Sequence, residues 1–293
     1  MTRLFLAKIL GLAGGLWLAV SSLAAAAPPM WLASDEDTRI YLFGSVHILP
    51  KDTQWRTPAL DDVLDEADAV YFETSLDMAD QQAMAAETMK LGLVSGGTRL
   101  LDRLDTDEKA IVTDAAREAG IPLSGLNIWK PWMATNLLTT SFAAKQGFDI
   151  LSGVDVVLQG ELAYGEQRFF ETIDEQLHFL ADMPEDQQIT ALVATAKDLK
   201  ERPDMLIGLV DAWSAGDVES LRAALSDSLD TMDANWDETL LHQRNVRWVA
   251  ELEDVLKNEP GTFLVVVGAA HLVGDNNVPS LLADAGIKVE RVQ

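Results

Sequence analysis

The 293-residue chain contains no cysteine, which removes disulfide staples, thiolate zinc sites and a cysteine nucleophile together. Basic residues are scarce as well. Lys and Arg number 22 against 47 Asp and Glu, a formal net charge of −25, and neutralising nucleic-acid phosphates needs a basic face. No nucleic-acid partner is expected; the acidity favours solubility and cationic partners such as metal ions. Also absent are a Gly-x-Ser-x-Gly elbow, a phosphate loop and a His-Glu-x-x-His pair. Serine hydrolases of the elbow type, nucleotide enzymes and zincin peptidases are therefore disfavoured. The acidic run Asp61, Asp62, Asp65, Glu66 and Asp68 lacks EF-hand spacing and reads as a solvated helix face. Any reactive centre must be built from oxygen and nitrogen groups.

The N-terminus reads as a secretory leader. Arg3 and Lys8 precede an apolar run from Ile9 to Val20, and Ala24 to Ala27 offer an Ala-x-Ala cleavage site, placed after Ala26. Later apolar stretches, such as Thr262 to Val273, are too short to span a bilayer. The expectation is an exported protein, periplasmic or extracellular, with residues 1–26 as signal peptide and 27–293 as one domain that keeps no stable membrane span after cleavage. The oligomeric state is not legible.

Periodicity divides the remainder. Met30 to Ala33 and Thr38 to Phe43, joined by Ser34-Asp35-Glu36-Asp37, read as a β-hairpin. Residues 58–68 read as a helix with Thr57 as N-cap and Pro58 at its first position, followed by a strand from Ala69 to Thr74. This strand–helix–strand order predicts a right-handed crossover and parallel pairing. A helical insertion follows over about 77–165, holding the aromatic stripe Trp129, Trp132 and Met133, read as core packing. A strand at Arg168 to Thr172 leads into further helices over about 173–257. The end reads as a strand at 262–267, a helix near 278–285 and a strand at 287–292. The fold class is α/β: a central mixed sheet surrounded by helices.

Two short words occur twice. Gly-x-x-His stands at Gly44 to His47 and at Gly268 to His271; Phe-Glu-Thr stands at Phe72 to Thr74 and at Phe170 to Thr172. Composition alone gives roughly 0.3 and roughly 0.03 occurrences of the two words. Their order is His-word, Glu-word, insertion, Glu-word, His-word, as in two pseudo-symmetric halves. Each word ends a strand, where glycine lets the backbone leave the sheet without a Cβ clash, and ligands of open α/β sheets bind at the strands' carboxyl ends. His47, Glu73, Glu171 and His271 thus offer two imidazoles and two carboxylates to a divalent cation such as Zn, Mn or Co. Such an ion activates water and polarises a carbonyl; alternatively, one carboxylate serves as general base. Against this stands a buried ion pair of the glutamates with Arg244, itself either an oxyanion clamp or an interhelical salt bridge. His178 reads as structural. His242, four residues after Glu238, reads as half of a surface pair.

In these words, and in Tyr41 to His47, Gln176-Leu177, Arg244-Asn245 and Val267 to Leu272, the chain resembles the TraB/GumN family, which includes the animal Tiki proteases and the bacterial pheromone-shutdown proteins. The resemblance implies a core similar to the erythromycin-esterase and ChaN-like proteins. In Tiki-like members it implies metal-dependent proteolysis with Mn or Co. It maps the two histidines onto His47 and His271 and the first acidic residue onto Glu73, while Glu171, Gln176 and Arg244 match the bacterial members. The reading is a metal-dependent hydrolase of peptides or proteins. His47, Glu73 and His271 hold the metal, Glu171 completes the site or acts as base, and Arg244 steadies the oxyanion. The alternatives are a peptide-sequestering protein without turnover and a metal- or haem-handling protein.

Overall fold

A computed structural model describes residues 26–230 and 234–293. Apart from Ala26, the leader sequence lies outside the described residues. Among the described residues eight strands form: β1 (Met30–Ser34), β2 (Thr38–Ser45), β3 (Leu49–Pro50), β4 (Ala69–Phe72), β5 (Phe148–Asp149), β6 (Gln167–Phe169), β7 (Gly261–Gly268) and β8 (Lys288–Arg291). Six of them make a mixed sheet in the order β6-β4-β7-β2-β1-β8. Its first four strands are mutually parallel, while β1 runs antiparallel to both β2 and β8. The β1–β2 turn is tied by Asp35 Oδ1, which accepts from Thr38 N at 2.9 Å.

The crossover from β2 to β4 runs through the helix Pro58–Glu66, capped by Thr57. The two strands are parallel as expected but are not neighbours, because β7 lies between them. The reason is burial. Phe263 to Val267 are all interior, and a strand apolar on both faces belongs in the middle of a sheet covered on both sides. Local pattern identifies such a strand but does not say which partners it takes.

The helical insertion contains a strand as well, since β5 pairs with β3 in a separate two-stranded ribbon. Its helices Thr106–Ala119 and Pro131–Lys145 build a second apolar core, centred on Leu100, Val112, Leu126, Leu138 and Leu192, with the later helix Glu185–Glu201. Trp132 is buried and Trp129 packs against this core. Within the later helical region, Gly216 (φ 66°) separates the helices Met205–Ser214 and Val218–Asp230. No helix among the described residues is long and apolar enough to cross a membrane.

Strand register positions the site. Phe72 pairs with both Phe169 and Val266, and Ser45 pairs with Gly268. The carboxyl ends of β2, β7, β4 and β6 therefore form one edge, and the four repeated-word side chains follow immediately.

Candidate functional site

Past the end of β6 the parallel ladder continues. Phe170 N donates to Phe72 O and Glu171 N to Glu73 O, at 3.1 and 2.9 Å, so the two glutamates lie side by side. The word glycines both keep strand backbone, so their role is close approach rather than a left-handed turn. A Cβ on Gly268 would stand 3.1 Å from Glu73 Oε1, and one on Gly44 would stand 3.1 Å from Ala269 Cα. Gly268 N instead donates to Glu73 Oε1 at 2.7 Å.

Arg244 lies at the centre of these groups. It stands on the helix Gln243–Asn258, and all five guanidinium N–H groups have acceptors. Nε and Nη2 reach Glu171, Nη2 also reaches Glu73 Oε2 at 2.5 Å, and Nη1 reaches Leu240 O at 2.9 Å and His271 Nε2 at 3.1 Å. The last turn before this helix, Glu238–His242, is π-helical. Its wider i→i+5 pitch breaks the four-residue spacing read for Glu238 and His242, and Glu238 accepts from Gln243 instead. Trp248, one turn on from Arg244, lies under the guanidinium at 4.8 Å, donates Nε1 to Glu171 Oε1 at 3.2 Å, and packs on the His271 ring at 4.4 Å.

His271 is held in one tautomer. Asn245 Nδ2 donates to Asn276 O, which turns Asn245 Oδ1 toward His271 Nδ1 at 2.6 Å. Nδ1 is thus the donor, and Nε2 accepts from Arg244. Burial pushes the His271 pKa down to about 3, so the ring is neutral. Burial alone would raise the pKa of Glu73. The charge of Arg244 beside it outweighs burial, with His271, His47 and the Gly268 amide adding to the effect, and holds Glu73 well below the usual carboxylate range. Burial opposes the charge of Arg244, but Glu73 and Glu171 hold its pKa above the ordinary guanidinium value.

His47 differs from the rest. Its side chain is 61% exposed, whereas those of Glu73, Glu171, Arg244 and His271 are exposed by 10% or less. Nδ1 meets Asp155 Oδ2 at 2.7 Å, and Ser45 Oγ holds the other oxygen of that carboxylate at 3.1 Å. Asp155 raises the His47 pKa to about 9. A cavity of about 190 Å³ opens beside the pair, walled by Leu76, Ile150, Val156, Gln159 and Gln176 along with Glu73 and Thr74. Gly153 makes this arrangement fit, because a Cβ there would lie 2.0 Å from His47 O. Without one, the N-terminus of the helix Val154–Glu161 abuts His47, with Val154 N donating to Val46 O at 3.1 Å.

The structure therefore gathers all five expected residues at one sheet edge but gives them unequal access. Glu171 accepts from Arg244, Arg247, Trp248 and Gln176, which leaves it no free lone pair with which to act as base. Arg244 has no N–H left for a substrate oxyanion. Asp155, Trp248 and Arg247 were not foreseen; the only sequence signal for Asp155 is a glycine two residues before it. The metal ligands expected from the resemblance do not fit an ion in this arrangement. Glu73 Oε1 and His271 Nε2 are 3.8 Å apart, but Arg244 occupies the imidazole lone pair. Among the described residues, the one group of three side chains whose ligand atoms all lie within 4.8 Å of one another is the half-exposed surface trio Glu87, Asp174 and His178.

A mixed-sheet α/β chain with paired Gly-x-x-His and Glu words at its strand ends has the features of one family, and the family comparison agrees: residues 29–291 match the TraB/PrgY/gumN family, to which the chain belongs. Relatives include "Uncharacterized protein YbaP" of Escherichia coli (strain K12), 23% identical over 275 residues, covering 91% of this chain and 96% of that one. The protein of the same description in Shigella flexneri is 24% identical over 250 residues, covering 83% and 87%. No solved structure matches the chain.

Proposed function

We propose that this chain is a hydrolase in which His47 moves the proton. One observation carries the reading: His47 is the single exposed member of the strand-end set, and its Nδ1 is engaged by Asp155 at 2.7 Å. An Asp–His pair of this kind fixes the tautomer and directs Nε2 at the reactants. In the 190 Å³ cavity, and once the ring is neutral above its raised pKa of about 9, Nε2 takes a proton from the attacking water as the water oxygen bonds to a carbonyl carbon. It returns that proton to the leaving nitrogen as the carbon–nitrogen bond breaks. Glu73, anionic beside it, stabilises the imidazolium formed between the two steps. Peptides or proteins are the substrate class that the Tiki-like resemblance supports, and the leader read in residues 1–26 supports export. The mirrored order of the words supports two related halves of the erythromycin-esterase and ChaN-like kind.

The test is a peptide library incubated with the wild type and with His47→Ala and His47→Gln, the products being read by mass spectrometry. Wild-type cleavage, reduced about 10²–10⁴-fold in both variants, is expected for loss of a general base. Equal cleavage by all three proteins rejects the reading. The saturation of Glu73, Glu171 and Arg244 favours a second one, capture of peptide without turnover. Stoichiometric binding with no product from any of the proteins would establish it.

A further inference from the structure

We infer that Arg244 is the resident cation of this site, and that its guanidinium stands where a divalent ion would have to bind, so that the strand-end cluster works without a metal. The inference does not depend on the chain being a hydrolase.

Three observations carry it. The first is steric. A metal on His271 Nε2 at the roughly 2.0–2.1 Å of a zinc–imidazole bond would stand on the guanidinium, whose Nη1 lies 3.1 Å away on the same lone pair. The opposite lone pair is unavailable, because Nδ1 carries the proton given to Asn245. The second is charge. Two carboxylates, Glu73 and Glu171, already face two guanidiniums, Arg244 and Arg247. The cluster is neutral, and a divalent ion placed in it would leave two uncompensated positive charges in a largely buried site. The third is occupancy of donors and acceptors. Arg244 uses all five N–H groups, and Glu73 spends one oxygen on Gly268 N and the other on Arg244 and Gln176. The π turn supplies the Leu240 carbonyl that completes the guanidinium's set. Admitting a metal would require Arg244 to leave and give up every one of these bonds.

The experiment is elemental analysis of the full folded protein after dialysis against Zn, Mn or Co chloride and desalting. It is run on the wild type, on His178→Ala, and on His178→Ala combined with His47→Ala or with Glu73→Gln. The His178→Ala background removes the surface trio Glu87, Asp174 and His178 as a source of bound metal. Expected is well under one equivalent in the His178→Ala protein, with neither added substitution changing the amount. Metal present in the wild type and lost on His178→Ala belongs to the surface trio and supports the inference. About one equivalent that survives His178→Ala and is removed by His47→Ala or Glu73→Gln overturns it. His47→Ala alters an exposed side chain, so it keeps the test decisive should Glu73→Gln not fold.

Discussion

Replacing Arg244 with methionine keeps the length of the side chain and removes its charge and all five donors. Glu171, 2% exposed, would keep Arg247, Trp248 and Gln176, while Glu73 would keep Gly268 N and Gln176. Two buried carboxylates would then share only one guanidinium, which is itself half exposed. Removing one partner of a buried ion pair costs about 3–5 kcal/mol, chiefly because the orphaned charge stays desolvated. For a chain of this size that lowers Tm by roughly 6–20 °C. Arg244→Lys keeps the charge but not the planar five-donor fork, and is expected between wild type and Arg244→Met. Adding Glu171→Gln to Arg244→Met removes the stranded charge and recovers much of the loss. Urea unfolding of the four proteins measures this directly. A loss below about 1 kcal/mol for Arg244→Met, or no recovery in the double variant, would mean that the guanidinium does not neutralise the cluster.

Three other outcomes follow from the same geometry. Gly153→Ala places a methyl 2.0 Å from His47 O, so the helix carrying Asp155 must shift; about 1–3 kcal/mol of destabilisation and a fall in peptide cleavage are expected, measured by urea midpoint and product formation. Asn245→Leu leaves the buried Nδ1–H of His271 without its acceptor, and should cost about 1–3 kcal/mol in the same assay. Stability should peak near pH 6.5. The His47 pKa is raised from 6.5 to about 9, so its contribution is full below pH 6.5 and lost as pH rises through 9. The His271 pKa is lowered from 6.5 to about 3, so its contribution is full above pH 6.5 and lost as pH falls toward 3. His47→Gln should flatten the alkaline limb and leave the acid limb in place; a profile unchanged by it refutes the assignment.

Much of this site could be read from the sequence, because its residues follow strand ends that local pattern identifies. The apolar runs ending at Phe43, Phe72 and Val267 each deliver a word residue within four positions, and parallel register then aligns those ends without further information. One helix cap was equally local: Thr57, read as the N-cap of the helix from Pro58, accepts from Leu60 N. What stayed hidden depends on three-dimensional proximity. Asp155 lies 108 positions from His47, on a helix whose pattern sets it apart from no other. The central place of β7 is a pairing choice that no single strand encodes. The saturation of Glu171 and Arg244 is a count of partners from four separate elements. It is also what joins Glu171 and Arg244 in the buried ion pair that stands against their roles as base and oxyanion clamp.

The chain has four histidines, so an NMR titration of the imidazoles resolves every one of them and tests the division between one accessible histidine and one silent histidine. Paired with Asp155→Asn, it should show His47 titrating near pH 9 in the wild type and falling toward 6.5 in the variant, while His271 stays neutral down to about pH 3 in both. A His47 that titrates at its ordinary value in the wild type, or a His271 that takes up a proton near pH 6.5, would contradict the account.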